Sequence, residues 1–441
     1  MLLSRRRRAA LGTISVLAVG AMLAACSGGS SSSASSSADG EPSGSIQVLT
    51  WRTDLVQDGT FDTYVAAFKE KYPEVTEVKV EGITDYETEV KTRMNTSNYG
   101  DVLAIPNTVS GQQLADFFEP LGQQADLEKT YRWLADRSYD GVSYGIPVVG
   151  NVQGIVYNTK VFADAGITTS PTTPEEFLAD LQAIKDNDPD VTPLYTNYKD
   201  GWPLTAWTYY RGGVSGDLDF VNELVKDDAP WSGDKDMAVI DGLLYDAVHD
   251  GLTEADPTTT NWETSKNLLG TGKIGVMLLG SWAIPQMQAA AVAAGNSAED
   301  IGYMPFPTQV DGEFQAISAG DYNLGINVNS TNKVTARAWI DWFNNESGYS
   351  ESQVGLSPLA DGAVPAALQS FVDEVNLITL NPKPAGEEDL LNDIQKASEL
   401  SMDTPDYRKT IIDEARAGSK TKEQIFEGLN TQWAQGIADV G

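Results

Sequence analysis

Short β-branched runs alternating with helix-period segments open the globular part of this chain, and that alternation constrains its fold more than any other feature. Ile46-Gln-Val-Leu-Thr-Trp51 is rich in strand formers and stops at polar residues. Phe61, Tyr64, Val65, Phe68 and Tyr72 then recur at i, i+3, i+4, i+7 and i+11, the apolar stripe of a helix, and Pro73 closes it. Residues 75–80 alternate as a strand does, 86–94 have helical spacing, and 101–106 read as a short buried strand. A β-α-β-α-β order requires crossover connections, so the expected fold is α/β, with a mostly parallel sheet and helices on both faces.

The same punctuation continues. Thr173-Pro-Glu-Glu176 predicts a helix start, with Thr173 as N-cap, Pro174 in the first turn and Glu176 at the reciprocal capping-box position. Phe177, Leu181 and Ile184 form its buried stripe. Residues 192–195, 273–279 and 323–328 read as further strands, and 422–437 as a last helix carrying Ile425, Phe426, Leu429 and Trp433. At 441 residues the chain has room for two or three domains, and it shows no internal repeat.

The N-terminus reads as an address. Four arginines at 5–8 precede an uncharged stretch of small and apolar residues to Ala25. That is a secretory signal, too short and too rich in Ala and Gly for a permanent span. It ends in Leu23-Ala-Ala-Cys26, which resembles a bacterial lipobox, where signal cleavage leaves the cysteine as a diacylglycerol-modified N-terminus. Cys26 is the only cysteine of the chain. The expectation is a signal peptide at 1–25, a lipidated Cys26, and a flexible Ser/Gly-rich tether at 26–45 that buries no apolar surface. The arginines leave both Sec and twin-arginine export open.

Charge removes several functions. There are 63 Asp and Glu against 30 Lys and Arg, a formal net charge of −33; loss of residues 1–25 removes four arginines and no acid, giving −37. Such a surface repels phosphate backbones, so nucleic acid is excluded as a partner. One cysteine permits no internal disulfide or Cys-rich metal site. A single histidine, His249, removes most His-dependent catalysis. Asp186, Asp188 and Asp190 imitate the start of a calcium loop, but Val191 and Asn197 stand where that loop needs Gly and Glu. No Walker-type phosphate loop occurs. No metal or cofactor is expected, and a neutral or cationic partner is favoured.

Three segments carry a family resemblance. Asp140-Gly-Val-Ser-Tyr-Gly-Ile-Pro-Val-Val-Gly-Asn-Val-Gln-Gly-Ile-Val-Tyr-Asn158, followed by Phe162 and the Pro-Thr-Thr-Pro-Glu-Glu-Phe helix start, resembles the interlobe segment of extracellular solute-binding proteins, family 1. These are sugar-binding components of ABC importers. Gly272-Lys-Ile-Gly-Val-Met-Leu-Leu-Gly-Ser-Trp282 resembles the family's Gly-Lys…Met…Gly-x-Trp segment. The stretch from Gly325 to Phe343 is similar to the returning strand and helix of maltose-binding protein. The resemblance implies a two-lobed periplasmic-binding-protein-like fold with discontinuous lobes, 46–150 with 319–355 and 151–318 with 356–441, joined by crossing strands around a ligand cleft. It also implies a lipid-anchored, monomeric receptor on the outer face of the cell membrane that delivers an oligosaccharide to the permease subunits of an ABC transporter.

Sugar recognition needs flat apolar faces and planar polar groups, since a buried unpaired hydroxyl costs about 1–3 kcal/mol. In open α/β sheets ligands sit at the carboxyl ends of strands. That rule selects Trp51, Arg52 and Asp54 after the first strand, Asn107 after the third, and Asn151 and Gln153 in the crossing segment. It also selects Trp202 in a Gly/Pro loop, Trp207 beyond it, Trp282 at the end of its segment, and Asp321 and Tyr322 before the returning strand. Trp339, Ile340, Phe343, Trp433 and Trp133 read as structural, the last within a charged helical stretch; Trp231 and Trp262 stay undecided. With Asp54 and Asp321 among the candidates, a neutral saccharide is expected. Tyr209-Tyr210 resemble the paired tyrosines of ferric-binding relatives, but the Trp-rich context opposes that. The alternatives are an anchored carbohydrate hydrolase or lyase, and a binding protein of the same fold for a non-sugar ligand.

Overall fold

The computed structural model describes residues 40–384, 386–402 and 404–441. The expected signal peptide, Cys26 and most of the expected tether lie outside the described residues. The tether ends earlier than its composition suggests. Ser43 exchanges two hydrogen bonds with the Thr335 hydroxyl, 2.9 and 2.7 Å, and the first strand begins at Gly44, whose N–H reaches the Glu74 carbonyl at 3.1 Å.

A five-stranded sheet organises the first lobe, in the order Val75–Gly82, Gly44–Thr50, Val102–Ala104, Asn323–Ile326, Ile146–Pro147. Its core gathers Val48, Leu49, Phe68, Val102, Leu103 and Trp339. The second lobe is built on a sheet in the order Gln309–Val310, Glu313–Gly320, Gly150–Asn158, Ile274–Gly280, Thr192–Leu194, with Ile301–Met304 and Val375–Ile378 pairing off this path. Every residue of Ile274–Gly280 is buried. Its side chains alternate between two cores, Val276 and Leu278 on one face, Met277 and Leu279 on the other.

Both sheets are mixed rather than mostly parallel. Gly44–Thr50 runs parallel to both neighbours, but Asn323–Ile326 inserts antiparallel to Val102–Ala104, and Gly150–Asn158 is antiparallel to Ile274–Gly280, Ile301–Met304 and Glu313–Gly320. The crossings explain this: a chain that leaves one lobe and returns must enter each sheet in the opposite sense. Two such segments lie side by side, with Val152, Asn151 and Gly150 opposite Ser318, Ala319 and Gly320. A third joins them through paired hydrogen bonds between Gly150 and Leu356, 2.8 Å each way.

Two local expectations change. The helix Pro174–Asn187 has Thr173 as its N-cap, accepting from the Glu176 N–H, but the Glu176 carboxylate reaches back to Thr172 rather than to the cap itself. Trp133 is not helical. It has φ 58°, in the left-handed region, and its indole N–H donates to the Thr379 hydroxyl at 3.3 Å. Trp339 and Trp433 are core residues, at 1% and 0% exposure. Among the described residues no helix is long and apolar enough to cross a membrane, and no group of three or more His, Cys, Asp or Glu could hold a metal ion.

Candidate functional site

Three indoles meet on the second lobe. Trp202 opens the 3-10 helix Trp202–Tyr210, Trp262 opens the helix Trp262–Gly270, and Trp282 follows the strand Ile274–Gly280. Their ring centroids lie 4.8 Å (Trp202–Trp262), 5.7 Å (Trp202–Trp282) and 5.8 Å (Trp262–Trp282) apart. Trp202 keeps 39% of its surface exposed. An exposed indole on a rigid mount suits stacking against an apolar ring face.

The mount is built from hydrogen bonds. The Asp200 carboxylate accepts from the Trp262 N–H at 2.7 Å, while the Asp200 carbonyl accepts from the Trp202 N–H at 3.0 Å. The Asn197 amide donates to the Ser265 hydroxyl, and the Thr260 hydroxyl accepts from the Lys199 N–H at 2.8 Å. Beneath the 3-10 helix, Arg408 donates to the Leu204 carbonyl and the Thr208 hydroxyl, and is paired with Asp241 at 2.8 Å with both side chains fully buried. Trp231 donates its indole N–H to the other Asp241 oxygen at 2.7 Å.

The first lobe presents a different cluster. Trp51, Tyr86 and Tyr322 pack with centroids at 4.4–6.2 Å. The Tyr322 hydroxyl donates to Glu87 at 2.7 Å, and burial together with that carboxylate pushes it well above the usual tyrosine range. The second Glu87 oxygen accepts from the Asn107 N–H, and the Asn107 side chain accepts from Arg137 at 2.7 Å. Arg52 is held by Asp54, Tyr349 and Gln353. Burial opposes its charge, but the Asp54 carboxylate and the Tyr349 hydroxyl outweigh it and hold the guanidinium above its ordinary range.

A string of polar groups on the crossing strands connects the two clusters. The Asn151 amide donates to Asp321 at 3.2 Å, and Asp321 also accepts from the Tyr322 N–H at 2.8 Å. Two residues along, on the same strand face, Gln153 pairs with Gly280. Gln153 is 8% exposed and its Oε1 has no hydrogen-bond partner among the described residues. Ser281 accepts from the Val152 N–H at 3.2 Å. Gly280 is required by close approach: a Cβ there would meet the Trp282 ring at 2.8 Å and Gln153 Oε1 at 3.1 Å.

Of the residues selected from sequence, Trp51, Arg52, Asp54, Asn107, Asn151, Gln153, Trp202, Trp282, Asp321 and Tyr322 all belong to these clusters or the string between them. Trp207 does not. It is 2% exposed and packs with Leu204, Tyr210 and Leu224 in the second-lobe core, because the 3-10 helix turns it inward while Trp202 stays outside. Trp262 joins the site, and its position just after the helix cap Asn261 was a readable signal. Glu87, Arg137, Tyr349 and Gln353 carried none; only tertiary contacts bring them in.

Known proteins share this fold. The family model described as bacterial extracellular solute-binding protein matches residues 53–349. The diacetylchitobiose-binding protein of Streptomyces coelicolor is 25% identical over 395 residues, 82% of this chain and 84% of that one. A binding protein of an ABC transporter from Bifidobacterium animalis subsp. lactis, solved with mannobiose, superposes with a TM-score of 0.82 at 36% identity, covering 90% of this chain and 95% of that one. A manno-oligosaccharide-specific solute-binding protein from the same organism, solved with mannotriose, gives a TM-score of 0.82 at 35% identity with the same coverage.

Proposed function

This chain belongs to the bacterial extracellular solute-binding proteins, and from that premise we propose that it captures a neutral oligosaccharide between its lobes for delivery to the permease of an ABC importer. The lobe divisions we propose are 46–150 with 319–355 and 151–318 with 356–441. The observation that carries the reading is the polar string Asp321–Asn151–Gln153 running from the Tyr322 cluster to the three indoles. It offers an apolar stacking surface and hydroxyl-pairing groups side by side, the combination a sugar demands.

The solved complexes at 35–36% identity hold mannobiose and mannotriose, so manno-oligosaccharides are the first candidates here. A ligand that touches both lobes shifts the open–closed equilibrium by its preference for the closed state. The protein acts as a receptor without catalysis. The carboxylates near the cleft are already engaged, Asp54 with Arg52, Glu87 with Tyr322 and Asn107, and Asp321 with Asn151. A lipid on Cys26 would keep the receptor, acting as a monomer, at the outer face of the cell membrane.

Calorimetric titration with mannobiose, mannotriose, neutral gluco- and chito-oligosaccharides and one uronic-acid oligosaccharide tests this. Saturable binding of a neutral sugar, recovered uncleaved, is expected. Tighter binding of the acidic sugar than of every neutral one, or shortened products after incubation, would overturn it.

A further inference from the structure

We propose that Trp133 is a positioning residue for ligand capture, an indole wedge at the meeting point of the three crossing segments that holds the angle between the lobes. The inference rests on the proposed interlobe cleft, and the ring seats on Gly150, next to Asn151 of the polar string.

Trp133 is anchored in one lobe and packed against the other. Its sequence neighbours Tyr131 and Leu134 are buried in the first-lobe core. Its ring packs instead with the second-lobe cluster of Val152, Leu356 and Leu368. The indole N–H donates to the Thr379 hydroxyl at 3.3 Å, and that hydroxyl lies 3.0 Å from Ser318 on a crossing strand. Gly150 and Gly320 face each other across the first two crossings. A Cβ on Gly150 would overlap the Trp133 ring, and one on Gly320 would stand 3.0 Å from the Trp133 Cβ. The absence of a side chain at Gly150 is what lets the ring seat there, and Gly320 leaves room for the Trp133 Cβ and Pro147.

The third crossing is reached through the preceding residue. Arg132 places its guanidinium 5.1 Å from the Trp133 ring centroid and donates to the Leu359 carbonyl at 2.9 Å and the Gly362 carbonyl at 3.3 Å. The backbone of Trp133 sits at φ 58°, a region bulky side chains avoid. Such a conformation persists only where the surroundings over-determine it.

Rotation of one lobe against the other must slide this ring over the cluster of Val152, Leu356 and Leu368 or part it from Thr379. Close-packed contacts resist such sliding and favour discrete arrangements. Removing the ring therefore loosens the interlobe angle. The binding-competent fraction falls, and the apparent dissociation constant rises by the inverse of that fraction for every ligand alike.

The test uses the full-length chain carrying Cys26→Ser, with spin labels on cysteines placed at exposed Lys91 and Glu263, one per lobe. Interlobe distances are measured without ligand for wild type, Trp133→Ala and Trp133→Phe, and affinities for two different neutral sugars are measured in parallel. A broadened distance distribution in Trp133→Ala, with both affinities reduced by one common factor of about three to ten, is the expected result. Should the alanine variant fail to fold, Trp133→Phe is expected to show intermediate broadening. A distribution superimposable on wild type overturns the proposal, and so does an affinity loss confined to one sugar. If the wild type binds no sugar, the oligosaccharide reading fails, and the distance distributions still decide the role of Trp133.

Discussion

Asn151 and Asp321, 170 residues apart in the chain, are joined by one hydrogen bond of 3.2 Å that ties two crossing segments together at the floor between the lobes. The other carboxylate oxygen accepts from the Tyr322 N–H at 2.8 Å. Burial raises its pKa above the ordinary 3.8, against the Tyr322 N–H, the Asn151 amide and the charge of Arg52.

That shift has a defined sign in stability. Asp321 holds its proton to higher pH in the folded state than in the unfolded chain, so between 3.8 and its raised folded value the native state binds more protons. Stability contributed by the protonated form is complete below 3.8 and declines as pH rises through that window. Asp321→Asn removes this decline. Asp236 and Glu254, also raised by burial, leave a residual slope. Urea unfolding at a series of pH values is expected to show the stability of wild type falling relative to that of the variant as pH rises through that window; a pH-independent difference between the two would count against the assignment.

Trp202 and Trp207 separate stacking from packing within one helix. A sugar ring against Trp202 buries surface worth roughly 1.5–3 kcal/mol, so Trp202→Ala should weaken binding about tenfold to a hundredfold. Its melting temperature should change little, since the ring is 39% exposed. Trp207→Ala should instead cost about 3–5 kcal/mol of stability, as expected for a core indole. Thermal unfolding and calorimetry of the pair check both. Trp282→Ala and Trp262→Ala are expected to follow Trp202, with a larger stability loss because both rings are more buried.

The Arg408–Asp241 pair underlies the platform. Asp241→Ala leaves a fully buried guanidinium without its carboxylate and the Trp231 indole N–H without its acceptor. Breaking such a pair from one side costs about 3–5 kcal/mol. Denaturant unfolding should register that loss, while Asp246→Ala, which removes a half-exposed partner of Lys422, should cost at most about 1 kcal/mol.

Cys26→Ala tests the anchor. The variant should fold as wild type does and leave the membrane fraction for the medium, because two acyl chains hold where one is marginal. Retention of Cys26→Ala in membranes as firmly as wild type would refute the lipobox reading.

Local periodicity determined much of this protein from sequence alone. The stripe of Phe61, Tyr64 and Phe68, the Thr173 cap and the all-apolar run at 274–279 each depend on neighbours within a few residues, so the helices and strands they define were legible. So was the family, because its motifs are contiguous. Trp202 and Trp207 lie five residues apart in similar surroundings, and only the path of the 3-10 helix over Arg408 decides which ring faces out. Trp133 sits in a charged stretch that reads as helix, yet two glycines from distant segments and Thr379 draw it into a strained turn. Glu87 and Arg137 acquire their place through Tyr322 and Asn107. Sheet direction was likewise decided by the return of the chain across the cleft. In each case the deciding energy is a contact between residues far apart in sequence, which packing creates and no local pattern encodes.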